Sequence, residues 1–394
     1  MPSSAKPAFH DRPVFPRGFR CASRNVGLKP KAKDLAVFVS DVDAAAAAVF
    51  TRNHFPGAPV MVGREIIKQG TLRAVVVNSK VSNVATGQRG IDNVRRMAAA
   101  AAKELGASAE HVLVSSTGVI GVPLPIEIIE RGIGGISADL QSDPFVGAEG
   151  IMTTDRHPKA LSMSVGDATI TWVAKGSGMI EPNMATMLSY IFTDAAFDAV
   201  TLDRMLRAAV DVSFNMLSVD TDTSTSDTCA ILANGHAGAV DELAFVEALI
   251  AGCTRMTEIL ARDGEGAMRM IRASVRGALN NYEAKRVAKS LVNSPLVKTM
   301  VAGADPNVGR LLMAVGKCFD CTIRPANTNA WINGHAVVVG GQRLDFEDDQ
   351  VRKTLSADVV DLEVSLGVGN GEARAYGCDL TTGYIEENAA YYSS

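Results

Sequence analysis

A threonine at the predicted mouth of a strand is the first candidate for chemistry in this sequence. Residues 176–183 are rich in Gly, Pro and Asn, Thr186 follows, and the apolar run 187–192 comes directly after it. Threonine is a poor nucleophile without a base. Cleavage of the bond between Ala185 and Thr186 would supply one, because the new α-amine has a pKa of roughly 7.7 to 8.0. The residues alone fit either a self-activated nucleophile or a threonine that only begins a strand.

A Thr-Gly pair offers the second element of such chemistry. Thr117 and Gly118 follow the apolar run 111–114, which predicts a strand that ends in a turn. A pair in that position can present a hydroxyl and an accessible backbone N–H to a developing oxyanion, which acyl transfer requires. Most such pairs are ordinary turns, so the pair by itself leaves both interpretations open.

The segment around Thr186 resembles the ornithine acetyltransferase family, also called glutamate N-acetyltransferases of the ArgJ type. Residues 175–188 are KGSGMIEPNMATML. They match, without a gap, the family segment Lys-Gly-x-Gly-Met-Ile-x-Pro-Asn-Met-Ala-Thr-Met-Leu, which cleaves itself before its Thr. Similar segments continue from about residue 19 to the end of the chain, so the resemblance covers nearly the whole sequence.

The resemblance implies roles for individual residues. Thr186 would be the nucleophile, the bond between Ala185 and Thr186 the cleavage site, and Thr117 with Gly118 the oxyanion hole. The implied substrate-binding residues are Thr154, Lys175, Thr186, Glu265, Asn388 and Ser393. Lys175 would hold a substrate carboxylate, and Ser393 keeps a hydroxyl where the family has Thr. Without the resemblance, Thr154 fits a solvated turn, and Glu265 between two glycines fits a capped helix end equally well.

Three residues depart from the family pattern. Lys80 and Val81 lie in Asn-Ser-Lys-Val-Ser-Asn, where the family usually has Asn-Ser-Gly-Asn-Ala-Asn. That loop could reach the site, so these departures bear on substrate identity more than on chemistry. Val308 replaces a usual Trp, and the lost aromatic area could enlarge a pocket or an interface.

The resemblance also implies a fold and an activity. The expected fold is α/β, an ArgJ/DmpA-like layered sandwich of sheets and helices. A flexible segment 1–18 would precede an α-chain, 19–185, and a β-chain, 186–394, which pair as an α2β2 heterotetramer. The expected reaction moves an acetyl group from N2-acetylornithine to glutamate through acetyl-Thr186, in arginine biosynthesis, without a bound cofactor. Acetyl-CoA is a possible further substrate.

Three alternatives remain open at this stage. One is a self-cleaving amidohydrolase or aminopeptidase in which water is the acceptor. Another is an acyltransferase of the same chemistry in a secondary-metabolite pathway, which Lys80, Val81 and Val308 would favour. The third is a non-enzymatic relative that keeps only the fold.

Composition narrows the class of protein. The 394 residues are 47% hydrophobic and 21% charged, which is enough to bury a large core. The net charge of -4 does not favour binding to nucleic acid, which is itself negatively charged. No apolar run approaches the ~20 residues of a membrane span, and no signal segment opens the chain, so a cytoplasmic enzyme is expected. The polar run 218–228 is dense in carboxylates but lacks EF-hand spacing, so no metal site is predicted.

Regular elements must position these residues. Periodicity predicts strands at 35–40, 73–77 and 111–114, and a hairpin of 162–165 and 168–174 that leads into Lys175. It predicts helices at 92–105, 125–131, 202–210, 241–262 and 283–292. The glycine-rich residues 367–371 are predicted to form a hairpin turn before a strand at 373–376.

Overall fold

The computed structural model describes residues 8–181 and 187–389. These residues form two compact units, each with its own β-sheet. The first unit contains residues 8–176, 187–215 and 223–256, and the second contains residues 177–181, 216–222 and 257–389. Among the described helices, none is long and apolar enough to cross a membrane.

The sheet of the first unit mixes parallel and antiparallel pairs. Within the described residues its strands are β1 Ala8–Phe9, β2 Phe19–Arg24, β3 Leu35–Phe50, β4 Thr71–Asn78, β5 Val112–Ser116, β6 Lys159–Val165, β7 Ala168–Lys175, β8 Leu188–Ala195 and β9 Thr228–Gly238. The strand order is β1-β6-β7-β8-β9-β3-β4-β5, and β2 pairs with β3. The β4–β5 and β8–β9 pairs are parallel. The carboxyl ends of β4 and β5 therefore meet at one edge, directly before Ser79 and Thr117.

Helices cover both faces of this sheet. They are α1 Ala58–Ile66, α2 Gly87–Leu105, α3 Ile126–Ile133, α4 Pro144–Ile151, α5 Ala199–Val212 and α6 Glu242–Arg262, which continues into the second unit. On one face, residues of α1, α2 and α3 pack against alternate residues of β3, β4 and β5. On the other face, Ala148 and Ile151 of α4 pack with Phe38, Tyr190 and Phe192. Two buried cores thus hold β4 and β5 from both sides, which fixes the strand ends that carry the site.

The second unit has a smaller sheet and its own helices. Among the described residues its strands are β10 Met270–Ala278, β11 Asn329–Ile332, β12 His335–Val339, β13 Gln342–Arg343, β14 Val359–Ser365 and β15 Gly371–Cys378, in the order β13-β12-β11-β14-β10-β15. Its helices are α7 Asn281–Asn293, α8 Pro295–Ala302, α9 Val308–Gly316, α10 Asp348–Leu355 and α11 Thr382–Asn388.

Most predicted elements are confirmed. The predicted strand at 73–77 lies within β4, the predicted helix at 92–105 lies within α2, and β6 with β7 forms the expected hairpin before Lys175. The mixed α/β class is confirmed as well.

One expectation stays a prediction, and another is wrong. Residues 1–18 were expected to be flexible, and the described part of this segment contacts the sheet. β1 pairs with β6, and the His10 ring nitrogens lie 2.8 and 2.7 Å from the hydroxyls of Ser162 and Ser164. The turn at 367–371 is not a hairpin turn, because β14 and β15 do not pair with each other. Both pair with β10, which lies between them.

Candidate active site

The predicted oxyanion pair lies at the carboxyl end of β5. The Thr117 N–H donates to the Asn78 carbonyl at 3.0 Å. The Asn78 carboxamide accepts from the Ser116 hydroxyl at 2.6 Å and donates to the Val81 carbonyl at 2.8 Å. Asn78, Ser116 and Val81 are all buried. This network ties the end of β5 to the loop after β4, so the backbone that presents Thr117 is fixed.

Gly118 makes a close backbone contact that only glycine allows. Its φ is +125°, and a Cβ built there would lie 2.2 Å from both the carbonyl carbon and the oxygen of Lys80. The Val119 N–H donates to the Lys80 carbonyl at 2.9 Å, and the Ser82 N–H donates back to the Val119 carbonyl at 3.0 Å. Residues 80–82 and 117–119 therefore run side by side in direct contact.

Two donors in this pair have no acceptor within the part of the chain that the structure describes. They are the Thr117 hydroxyl and the Gly118 N–H, although Thr117 is only 6% exposed. Gly118 is half-buried, so solvent or a ligand can reach this pair. Two adjacent uncommitted donors on a rigid backbone can serve an oxygen of a bound substrate, which is the requirement of an oxyanion hole.

Lys175 ends β7 and is held beside the turn that contains Thr154. Its ammonium donates to the Thr153 hydroxyl at 3.2 Å. Thr154 is half-buried between Thr153 and the buried Asp155. The structure thus brings two predicted substrate-binding residues into one neighbourhood, with Thr153 as a link that sequence reasoning missed.

Asp155 is a second residue that sequence reasoning missed, and it organises this neighbourhood. Its Oδ1 accepts from the Gly176 N–H at 2.7 Å and pairs with the Lys159 ammonium at 2.5 Å, and its Oδ2 accepts from the Thr153 N–H at 2.9 Å. Burial alone would raise the pKa of Asp155, but Lys159, Lys175 and the Thr153 N–H together bring the pKa below its usual value. The anion therefore pins the start of the 176–183 loop. Its position four residues before Lys159, the first residue of β6, was the available signal.

Thr186 and Ala185 lie outside the described residues, and so does Ser393. The residue after Thr186 is described: the Met187 carbonyl accepts from the Thr228 N–H at 3.0 Å, where β8 and β9 begin their parallel pairing. Asp227 lies directly before β9. It is 2% exposed, and its Oδ2 has no hydrogen-bond partner among the described residues. Burial raises the pKa of Asp227 well above its usual value, and Lys175 opposes this in part. A buried carboxyl group whose neutral form is favoured by burial therefore lies at this end of the two strands.

The second unit brings Glu265 and Asn388 together. The Asn388 carboxamide donates to Glu265 Oε2 at 2.7 Å, and the Glu265 N–H donates to the Ser177 carbonyl at 3.0 Å. A Cβ on Gly178 would lie 2.2 to 2.4 Å from the Glu265 carboxylate atoms. The carboxylate can approach the 177–181 backbone only because residue 178 is glycine.

The carboxylate-rich run 218–228 contacts the loop of residues 177–181. Asp220 accepts from the N–H groups of Met179 at 2.6 Å and Ile180 at 2.8 Å, and the Glu181 N–H donates to the Asp222 carbonyl at 3.0 Å. Burial raises the pKa of Asp220. The Asp220 carboxylate and the Asp222 main-chain carbonyl therefore hold the backbone of residues 179–181. No group of three potential metal-ligating side chains occurs among the residues that the structure covers.

The three departures from the family pattern have different surroundings. Val81 is 8% exposed and packs in the core between the sheet and α2, so it is a structural residue. Val308 is 3% exposed at the start of α9, which places it in the interior of the second unit. Lys80 is half-buried and directly contacts Gly118. Of the three, Lys80 is the one at the predicted site.

Comparison with known proteins gives a consistent result over the whole chain. The model of the ArgJ family matches residues 20–393. The arginine biosynthesis bifunctional protein ArgJ 2 of Clostridium acetobutylicum is 44% identical over 96% of this chain and 98% of its own length. The glutamate N-acetyltransferase Oat2 of Streptomyces clavuligerus is 42% identical, also over 96% of this chain and 98% of its own length.

A solved structure agrees with this assignment. The crystal structure of the arginine biosynthesis bifunctional protein ArgJ from Bacillus halodurans is 36% identical, with a TM-score of 0.50. It covers 51% of this chain and 98% of the solved one. With a family match over nearly every residue and relatives above 40% identity along their full length, this chain belongs to the ArgJ family.

Proposed function

We propose that this chain is a glutamate N-acetyltransferase of arginine biosynthesis, which moves an acetyl group from N2-acetylornithine to glutamate through acetyl-Thr186. The observation that carries the proposal is the Thr117–Gly118 pair, with two uncommitted donors held on a fixed backbone. Such donors suit a reaction that develops negative charge on an oxygen. The names of the relatives agree with acetyl transfer to glutamate.

The precursor first cleaves itself between Ala185 and Thr186. The Thr186 hydroxyl oxygen adds to the Ala185 carbonyl carbon, the C–N bond breaks, and the nitrogen takes the proton that the hydroxyl lost. Water then hydrolyses the ester, which leaves a carboxyl group on Ala185 and a free α-amine and hydroxyl on Thr186. The products are an α-chain, 1–185, and a β-chain, 186–394.

Transfer then occurs in two half-reactions. The Thr186 α-amine takes the hydroxyl proton as the oxygen adds to the acetyl carbonyl, and Thr117 and Gly118 donate to the resulting oxyanion. The C–N bond breaks, ornithine leaves with that proton on its nitrogen, and acetyl-Thr186 remains. In the second half-reaction the same steps run in reverse, and the neutral amine of glutamate adds to the acetyl carbonyl carbon of the ester. N-acetylglutamate departs, and the Thr186 hydroxyl regains its proton.

Binding roles follow for the remaining residues. We assign the substrate carboxylate to the Lys175 ammonium, with Thr154 beside it, and the amino-acid head or side chain to Glu265, Asn388 and Ser393. A half-buried ammonium suits a carboxylate, and a carboxylate held by a carboxamide suits a substrate ammonium.

Further properties complete the proposal. The two chains would assemble as an α2β2 heterotetramer in the cytoplasm. The reaction would need no bound cofactor, because Thr186 and its own amine supply nucleophile and base. Acetyl-CoA would be a possible second acetyl donor.

The test uses intact masses and labelled acetyl groups. Under denaturing conditions the wild type should give two species that sum to the chain plus one water, with one fragment ending at Ala185. N2-acetylornithine labelled in its acetyl group should then label Thr186, and added glutamate should collect the label. Thr186→Ala should stay uncut and inactive, whereas the matched variant Thr186→Ser should cleave and be acetylated. Transfer by Thr186→Ala would overturn the proposal, and release of acetate at a rate independent of glutamate would identify a hydrolase instead.

A further inference from the structure

Two cysteines lie at the ends of one tight turn in the second unit. Cys318 follows α9, Cys321 comes three residues later, and the Cys321 N–H donates to the Cys318 carbonyl at 3.0 Å. Such a bond closes a β-turn, whose first and fourth Cα atoms lie less than about 7 Å apart. A disulfide requires Cα atoms about 4.4 to 6.8 Å apart. The turn therefore brings the two thiols into the range from which a disulfide can form.

Two helices hold this turn from both sides. The N–H of Cys318 donates to a carbonyl in the last turn of α9 at 3.2 Å. On the side of α7, Glu283 Oε2 accepts from the Thr322 N–H at 2.7 Å, and Arg286 Nε donates to Asp320 Oδ2 at 3.0 Å. The backbone of the turn is therefore fixed at both ends, and a disulfide would need only the two cysteine side chains to rotate.

Both thiols are free, and their present contacts are weak. Cys318 Sγ lies 3.6 Å from the Ala314 carbonyl oxygen. Cys321 Sγ lies 4.0 Å from the Glu283 carbonyl oxygen and 3.9 Å from Asp320 Oδ1. A thiol is a weak hydrogen-bond donor, so these contacts cost little to break. Cys318 is 7% exposed and Cys321 is half-buried, so a small oxidant reaches Cys321 first.

The surroundings favour a disulfide over a metal site. Across the described ranges 8–181 and 187–389, no group of three His, Cys, Asp or Glu side chains could hold a metal ion. Burial, and to a smaller extent Cys318 and Asp320, raise the pKa of Cys321 to about 11. A thiol with a high pKa is a poor leaving group in thiol–disulfide exchange. A disulfide that contains Cys321 should therefore resist cleavage by other thiols once it has formed.

We propose that Cys318 and Cys321 form a redox-sensitive disulfide site, which closes when the protein meets a low-molecular-weight disulfide such as oxidised glutathione. The Cys321 thiolate attacks one sulfur of the oxidant, the S–S bond of the oxidant breaks, and one thiol leaves. Cys318 then gives up its proton and attacks Cys321 Sγ, which releases the second thiol. Two protein thiols are oxidised to one disulfide, and the oxidant is reduced to two thiols. The inference does not depend on the proposed acyl transfer.

The test is to treat the folded wild-type protein with oxidised glutathione and to alkylate the remaining thiols under denaturing conditions. No Lys or Arg separates residues 318 and 321, so trypsin leaves both cysteines on one peptide. This peptide should escape alkylation and be lighter by two hydrogen atoms than its reduced form. Oxidation should raise the melting temperature by about 2 to 4 °C, and dithiothreitol should reverse the shift. The four buried cysteines outside the turn are internal controls that should all be alkylated: Cys21, Cys229, Cys253 and Cys378.

Two serine variants separate the steps of closure. Cys318→Ser should accumulate glutathione on Cys321 as a mixed disulfide, because the second thiol is missing. Cys321→Ser should keep the shielded Cys318 as a free thiol. The inference is overturned if the pair stays reduced in the treated wild type, if the four buried cysteines react equally fast, or if closure does not raise the melting temperature. The wild-type measurement decides the question even if a variant fails to fold.

Discussion

Replacing Gly118 by alanine should disable the oxyanion hole through a backbone clash. A Cβ at this position would lie 2.2 Å from the Lys80 carbonyl carbon and oxygen and 2.7 Å from the Lys80 Cα, although real Cβ contacts do not fall below 3.0 Å. All three atoms belong to the backbone, so no rotamer change can relieve the contact. The φ of +125° is also unfavourable for alanine. The chain must therefore shift, and the Gly118 N–H shifts with it.

The size of the effect follows from the role of the lost donor. Loss of one oxyanion donor lowers kcat by roughly 100-fold to 1,000-fold, or about 2.7 to 4 kcal/mol. The strained conformation should lower the free energy of unfolding by about 1 to 3 kcal/mol. The assay is the rate of acetyl transfer to glutamate, divided by the fraction of cleaved protein from intact masses, with thermal unfolding measured alongside. Self-cleavage should slow as well, because it passes through a similar oxyanion.

A neighbouring glycine provides the matched control. Gly121 also has a positive φ, +81°, but a Cβ there would meet no heavy atom within 4 Å. Gly121→Ala should therefore cost about 1 kcal/mol of stability and leave kcat within about threefold of the wild type. The reasoning is refuted if Gly118→Ala also keeps kcat within that range, or if both variants lose activity equally.

Two further predictions concern the carboxyl groups. Burial raises the pKa of Asp227, so as pH rises above about 4 the unfolded chain gives up this proton before the folded chain does, and the free energy of unfolding falls. Asp227→Asn removes this titrating group. The melting temperature of the variant, relative to that of the wild type, should therefore rise between about pH 4 and pH 8. A difference in melting temperature that is constant with pH would contradict a raised pKa of Asp227. Asn388→Ala removes the donor 2.7 Å from Glu265 and should raise KM for the amino-acid substrates about tenfold, with cleavage intact; an unchanged KM would exclude Asn388 from binding.

Several features could be predicted because their signals are local. The strand that ends directly before Thr117 begins with an apolar run. The buried residues Val94, Met97 and Ala101 of α2 lie on one face of the helix. The hairpin before Lys175 follows from two alternating runs on either side of a tight turn. Such patterns depend on neighbours a few residues away, so these elements can be predicted without knowledge of the fold.

Other features depend on partners far along the chain. β1 pairs with β6, about 150 residues later, so two residues that carry no strand pattern of their own are part of a sheet. β14 and β15 flank a glycine-rich turn yet do not pair, because β10 supplies hydrogen bonds to both. No periodicity within a strand identifies its neighbour, since the pattern records only which face is buried.

The sequence by itself determined the family and predicted the chemistry, from a threonine in a segment that resembles a self-cleavage motif, a Thr-Gly pair after a strand, and a family match over nearly the whole chain. Only the tertiary structure decided how the described parts of the site are held. It set Gly118 against the Lys80 backbone and linked Asp155 to the Gly176 N–H, directly after Lys175. The physical reason is that motifs fix residue types, whereas distances between charges and donors depend on strand pairing across the sheet.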